Sequence, residues 1–292
     1  MVLFFEPIFL PKIWGGQKLA TLSPKSLTEP IGECWGISIH QEGMSKVQSG
    51  PHQGETLAGL WHDHPDWFGN PPWKTFPIQV KLIDAFDDLS IQVHPKGILP
   101  GEDMISQCEC WIIIDRDPGT EVIIGHHAKT KAEFIDHTER MDYHHLIQRI
   151  PIEVGDFFFI EAGTLHAICK GTLLLEIKQS TDISYRFYDY ERVEKGKKRP
   201  LQLRKAIANV TIPDEEIHRE IIDAAFQVQV LEVHQPITIP NRHHGTFFVV
   251  IEGNLTIHNE SASFGAFGFV TASDEDIVLE GNGKLVLIHL VS

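Results

Sequence analysis

Positive charge is scarce in this chain: 25 Lys and Arg stand against 40 Asp and Glu, a formal net charge of −15. Non-specific nucleic-acid binding normally shows as a basic face, so no nucleic-acid partner is expected. An anionic ligand would need a local cation set against the overall field. Cysteine is sparse as well. Cys34, Cys108, Cys110 and Cys169 are too few to staple 292 residues, which makes a reducing cytoplasm the expected setting. Long apolar runs are missing, as is an early apolar segment with basic flanks and a small-residue cleavage site, so neither a membrane span nor a leader is expected. What remains, 42% hydrophobic and 22% charged residues, is ordinary globular usage with enough chain for one large or two modest units.

Three short stretches offer donors that suit a metal ion. In Leu89-Ser90-Ile91-Gln92-Val93-His94-Pro95 a strand would put Gln92 and His94 on one face and turn Ile91 and Val93 into packing. The run Gly155-Asp156, then Phe157 to Ile160, then Gly163-Thr164-Leu165-His166 reads as turn, buried strand, turn, and a histidine opening the next strand. Glu109 opens the run Glu109-Cys110-Trp111 ahead of the apolar Ile112 to Ile114. Two imidazoles, a carboxylate and an amide oxygen make a set that suits a divalent ion of the zinc type. The flanking Cys108 and Cys110 are the rival ligands. Strand alternation decides against them, because a strand that points Glu109 inward points both thiols outward.

Elsewhere the chain alternates short β-rich runs with Gly, Pro and Asp turns, a pattern of antiparallel strands in a jelly roll. Phe76 to Asp84 and Leu89 to His94, joined by the polar turn Ala85 to Asp88, read as a hairpin. Lys81 within the first of these must snorkel or meet an anion. Helical spacing marks Glu55 to Trp61, one or two surface helices within Lys129 to Gln148, Leu201 to Asn209, and Asp214 to Ala225 after a Pro213-Asp214 start signal. His62-x-His64 sits in a polar loop with no third ligand nearby and reads as solvated, as does the basic run Lys195 to Arg199. Beyond Phe226 strands return, without a second Gly-x-x-His, so His243-His244 reads as structural.

These motifs resemble the type I mannose-6-phosphate isomerases of the cupin superfamily, in the short prokaryotic form. The resemblance is carried by Ile31-Gly32-Glu33-x-Trp35, Val80 to Ala85, Leu89 to Pro95, Glu109-Cys110-Trp111, Gly125-His126, Gly155 to Phe158, Gly163 to Ala167, and Ser180-Thr181-Asp182 through Tyr185-Arg186-x-Tyr188-Asp189. It implies a mainly β fold of two cupin-like jelly-roll β-barrel domains with a few short helices, divided here into a catalytic unit at 1–222 and a C-terminal unit at 223–292. It further implies one Zn2+ per chain held by Gln92, His94, Glu109 and His166. Arg186 and Glu176 are then the catalytic candidates, and Ser90 and Lys81 lie near the substrate. The implied reaction interconverts mannose 6-phosphate and fructose 6-phosphate through an enediol. Read from the residues alone, Arg186 would sooner be a structural ion pair with Asp182 or Asp189; Glu176 alternates with Leu174 and Lys178, which puts it on a polar face that is either the barrel interior or an exposed strand surface.

Two departures stand out. Glu161 occupies the place where the second cupin motif normally has Pro. The short enzymes usually carry a lysine two residues before the metal-binding glutamate, where this chain has Gln107. An amide can neither act as a base nor carry positive charge; Lys178, where the family usually has an uncharged residue, is the candidate to compensate. Gln107 also keeps open a non-catalytic cupin that binds a sugar phosphate as a sensor or regulator, and because fold and metal do not fix substrate, a metal-dependent isomerase of a different sugar phosphate is a further alternative. Oligomeric state is not legible in the sequence.

Overall fold

A computed structural model of the chain describes residues 1–23, 27–97, 107–180, 183–222 and 224–291. Among the described residues the fold is mainly β, with few and short helices, and three large sheets and one two-stranded sheet make it up. A six-stranded sheet runs in the order Ile8–Gly16, Ile31–Ile37, Ile78–Ala85, Thr172–Gln179, Glu109–Arg116 and Phe157–Ile160. A five-stranded sheet runs Tyr185–Tyr188, Ile91–Val93, His166–Ile168, Glu121–His126 and Ile147–Pro151. The third, seven-stranded, is built on the long strands Thr246–Ile257 and Asp276–Leu290 and takes Val2–Phe5 as an edge strand against Phe267–Val270.

Period-two alternation sorts the side chains of the six-stranded sheet into two layers. Ile83, Trp111, Ile113, Phe158 and Leu174 face the five-stranded sheet and pack with its Val122, Ile124 and Ile168. The other face presents Cys34, Val80, Leu82, Cys110, Ile112, Leu175 and Ile177 to Phe247, Val249, Phe267 and Phe269 of the third sheet. Gly36 lies at that second seam. A Cβ there would stand 1.9 Å from the Phe267 ring, so only hydrogen lets the two sheets meet. The outer face of the five-stranded sheet, including Ile91 and Val93, packs on Phe134 of Lys131–Glu139, Leu146 of Tyr143–Leu146 and Ala206 of Leu203–Asn209.

Several local expectations hold. Thr56 caps Leu57–Asp63 by accepting from the Gly59 N–H, and Thr130 caps Lys131–Glu139 through Glu133 N–H. The basic run is an exposed two-stranded turn, Val193–Glu194 against Lys197–Lys198. His244 is buried and donates to the Phe68 carbonyl at 2.9 Å.

Two expectations fail. Ile78–Ala85 and Ile91–Val93 do not form a hairpin but lie in different sheets. Both edges of Ile78–Ala85 are already taken, by Ile31–Ile37 and by Thr172–Gln179, so the chain crosses to the other layer. The segment after Pro213 is not helical. Its backbone goes instead to strand edges, with Asp214 O accepting from His126 N–H at 2.7 Å and His218 O from Phe159 N–H at 2.9 Å. Sheet partners on hand outcompete a helix start signal.

Candidate active site

Glu109, on the six-stranded sheet, and His94 and His166, from the five-stranded sheet and its margin, meet between the two layers. His94 Nε2 is 3.0 Å from Glu109 Oε2, and His166 Nε2 is 3.6 Å from Glu109 Oε1. All three residues are buried, and their donor atoms lie within 4.8 Å of one another. Two ligands of one ion at about 2.0–2.2 Å stand roughly 3.0–3.5 Å apart, which these separations match.

Local structure orients each donor. Gly163, with φ +87°, lets the chain turn sharply into His166, and its N–H donates to the His94 carbonyl at 3.0 Å. His166 Nδ1 donates to the Thr164 carbonyl at 2.8 Å, which leaves Nε2 directed at Glu109. His94 Nδ1 faces the Ile183 carbonyl at 3.2 Å. Trp111 Nε1–H donates to Glu109 Oε1 at 3.0 Å. His166 Nε2 is buried without a hydrogen-bond partner. A buried polar atom left unsatisfied while aimed at a carboxylate fits a site built to be completed by a cation.

The electrostatics agree. Burial alone would push the Glu109 carboxyl up, but the adjoining His94, with His166 and Lys178, holds it well below the usual carboxylate range. Burial lowers His166 to about 4, so its imidazole is the neutral, ligating form at neutral pH.

Gln92 stands directly opposite His166 in the sheet register and opposite Arg186 on its other side. The three therefore share one face. Ser90 is buried two residues before Gln92. Arg186 is half buried, and its Nη1 donates to the Pro200 carbonyl at 2.9 Å. Asp182, one of the ion-pair partners weighed for Arg186, lies outside the described residues. The other, Asp189, is engaged by Arg192 at 2.6 Å and by Arg199 at 3.5 Å.

Glu176 is buried, not exposed. It sits between Trp111 and Lys81 in a cross-strand row that continues to Trp35. Lys81 Nζ is 2.9 Å from Glu176 Oε1 and 3.7 Å from Glu33 Oε1, so the anion that a strand lysine requires is present twice over. Burial lowers and the two glutamates raise the Lys81 ammonium, and the glutamates prevail. Glu33, which burial would raise, is brought down to about 2 by Lys81 and Lys12. Burial and the charge of Glu109 raise Glu176. Glu33 was given no role from sequence; its alternation with Trp35, whose Nε1–H it accepts at 2.7 Å, was the available signal.

Cys108 and Cys110 point away from the pocket as alternation required, into the seam with the third sheet. Cys108 Sγ contacts Gln179 Oε1 at 3.4 Å. Gln107 is buried beside His94, its Nε2 3.3 Å from His94 Nε2. Lys178 pairs directly with Glu109 in the register and is buried.

Fold and site together define a cupin-type β protein with a buried His–Glu–His set suited to a metal ion. The family model for "Phosphomannose isomerase type I, catalytic domain" matches residues 3–110. A probable mannose-6-phosphate isomerase of Bacillus subtilis, GmuF, is 47% identical over 235 residues, 78% of this chain and 75% of that protein. The crystal structure of the Bacillus subtilis mannose 6-phosphate isomerase superposes with a TM-score of 0.91 at 33% identity over 99% of both chains. A zinc-bound mannose 6-phosphate isomerase shares the fold, with a TM-score of 0.79 at 14% identity over 100% of both chains. The chain belongs to the type I mannose-6-phosphate isomerase family.

Proposed function

We propose that this protein interconverts mannose 6-phosphate and fructose 6-phosphate through an enediol, with one zinc ion per chain held by Gln92, His94, Glu109 and His166. The observation that carries the reading is the unpartnered, buried His166 Nε2 facing Glu109 beside the Lys81–Glu176 pair. The reaction moves a proton between C1 and C2 next to a carbonyl, and such a carbon acid is too weak to lose its proton unaided. A bound zinc ion supplies Lewis acidity toward the sugar oxygens, worth several kcal/mol.

The chain's own groups do the rest. Lys81 orients the Glu176 carboxylate, and burial beside Glu109 raises that carboxyl toward a useful range for proton transfer. Arg186, across the strand from Gln92, supports charge developing on the sugar. Ser90 borders the same face. Lys178 brings to Glu109 and Glu176 the positive charge that Gln107 lacks, since its charge bears on both carboxylates. The proposed division at residues 222 and 223 leaves all of these groups in the first unit, with Val2–Phe5 lending an edge strand to the third sheet. Four free buried thiols favour a reducing, cytoplasmic setting.

The test is a coupled assay for fructose 6-phosphate, run before chelation, after it, and after zinc is restored. Activity should vanish and return; full activity in metal-free protein would refute the zinc site. Gln107 favours one second reading, a sugar-phosphate binder without turnover. Binding of mannose 6-phosphate by fully metallated protein without product formation would establish it.

A further inference from the structure

We infer that His52, Glu55 and His64 form a second divalent-metal site, on the surface, sharing no residue with the buried centre. Donor atoms of these three residues lie within 4.8 Å of one another. His52 Nδ1 is 3.0 Å from Glu55 Oε1, a separation that two ligands of one ion take up. His52 lies in a tight turn between Gly50 and Gly54, both at φ +85°, and Glu55 follows it directly. The turn is closed by Val47 N–H to Glu55 O and Gly54 N–H to Val47 O, each at 2.9 Å. His64 arrives from the end of Leu57–Asp63, where its N–H donates to Leu60 O at 2.9 Å. Two separate pieces of chain thus converge on one point.

Trp67 holds the imidazoles in place. The His64 ring stacks on its indole at 4.0 Å and 10°, and the His52 ring meets it edge-on at 4.8 Å and 84°. Fixed rings mean that much of the ordering cost of gathering the ligands is met by folding. An exposed His52–Glu55 contact alone stabilises little and does not account for the convergence of His64 on the same point. His62, two residues before His64, turns away toward Asp63 with its side chain 88% exposed. It is the natural control.

Two imidazoles and a carboxylate select borderline ions such as zinc, cobalt, nickel and copper over magnesium or calcium. Partial exposure leaves positions for water, so the ion is exchangeable. Its effect would be to staple the turn at 50–55 to the segment that carries Trp67 and Phe68. That segment docks the third sheet: Trp67 O accepts from Ala272 N–H at 2.7 Å, and the Phe68 ring stacks on Phe269 at 4.7 Å. An ion bound to the native chain alone stabilises it by mass action.

The experiment counts zinc per chain in chelated protein dialysed against micromolar zinc. H52Q/E55Q should hold one equivalent fewer than the unmutated protein, and H62Q the same number as it. The same pair placed in a H94A background should again remove one equivalent, which separates this site from the buried one. Carbethoxylation of the unmutated protein, read by mass spectrometry, adds a measurement that needs no variant: zinc should protect His52 and His64 but not His62. Equal zinc content in H52Q/E55Q and the unmutated protein, loss of an equivalent in H62Q, or equal labelling of His52 and His64 with and without zinc would overturn the site.

Discussion

The six-stranded sheet and the C-terminal sheet press apolar faces together, yet their other faces differ in what they bury. On the C-terminal sheet, Phe248, Val250, Leu255, Leu285 and Leu287 form a second apolar layer. On the six-stranded sheet the equivalent inward rows carry Glu109 and Lys178, then Glu176 and Lys81, with Glu33 joined to them through Lys81. Same alternation, different content: one sheet spends both faces on cohesion, and the other gives part of one face to charge, beside the apolar Ile83, Trp111, Ile113 and Leu174. Buried charges are costly unless paired, and here each carboxylate has a cation or imidazole beside it. The cohesive sheet behind supplies a rigid wall against which that charged face is held.

Removing Glu109 should produce the largest effect of all. Glu109→Ala deletes the carboxylate shared by both histidines, and activity and bound metal should fall together. The loss should exceed the roughly 100-fold typical of losing a group that merely orients a ligand; metal analysis with the coupled assay checks it. Retained metal at normal content would remove Glu109 from the ligand set.

A matched pair of substitutions sharpens the contrast between the two faces. Lys81→Met leaves Glu176 and Glu33 buried without their shared cation and should cost about 3–5 kcal/mol. Phe248→Ala opens a cavity in the C-terminal sheet and should also cost about 3–5 kcal/mol. Denaturant melts should rank them alike. Only Lys81→Met should lower kcat of the folded protein; an equal kcat loss in Phe248→Ala would show that the two sheets are not functionally separate.

Asp214 supplies a pH signature. Its carboxylate accepts from Leu165 N–H at 3.2 Å, just behind the turn that delivers His166, and burial raises it to about 6 from its ordinary 3.8. The folded chain therefore keeps this proton to higher pH than the unfolded chain does. Its contribution to stability is full below about pH 4, falls as pH rises, and levels off above about pH 6, a total of up to about 3 kcal/mol. Asp214→Asn should flatten that slope in denaturant melts run across the window; an unchanged slope would show that Asp214 titrates normally.

The smallest expected change comes from moving a charge within the pocket. Lys178→Met should lower kcat about tenfold, or ~1.4 kcal/mol of barrier, and adding Gln107→Lys should recover part of it. No recovery, with metal content intact, would mean that the two positions do not serve the same end.

How far the sequence foretold this depends on the range of the forces involved. Strand alternation is local, so the inward Glu109, the outward Cys108 and Cys110, and the packing of Ile91 and Val93 were all readable. The pairing of strands is not local. Phe76 to Asp84 looked like half of a hairpin because the sequence does not show that Ile31–Ile37 and Thr172–Gln179 claim both its edges. For the same reason Asp214 to Ala225 looked helical when strand edges at His126 and Phe159 were waiting for it. The charge network shows the same limit: Lys81 announced that it needed an anion, but Glu33 and Glu176 come from two other strands. His62-x-His64 shows no third ligand nearby in sequence because His52 and Glu55 come beside His64 only through the fold.

The strand Val2–Phe5 pairs residue for residue with Phe267–Val270, and its Leu3 and Phe5 are buried. Loop-closure entropy makes so distant a pairing a late event, and folds dominated by such contacts form slowly. During synthesis this strand, made long before its partner, therefore waits with apolar side chains exposed, and in that interval it is open to aggregation or to capture by a chaperone.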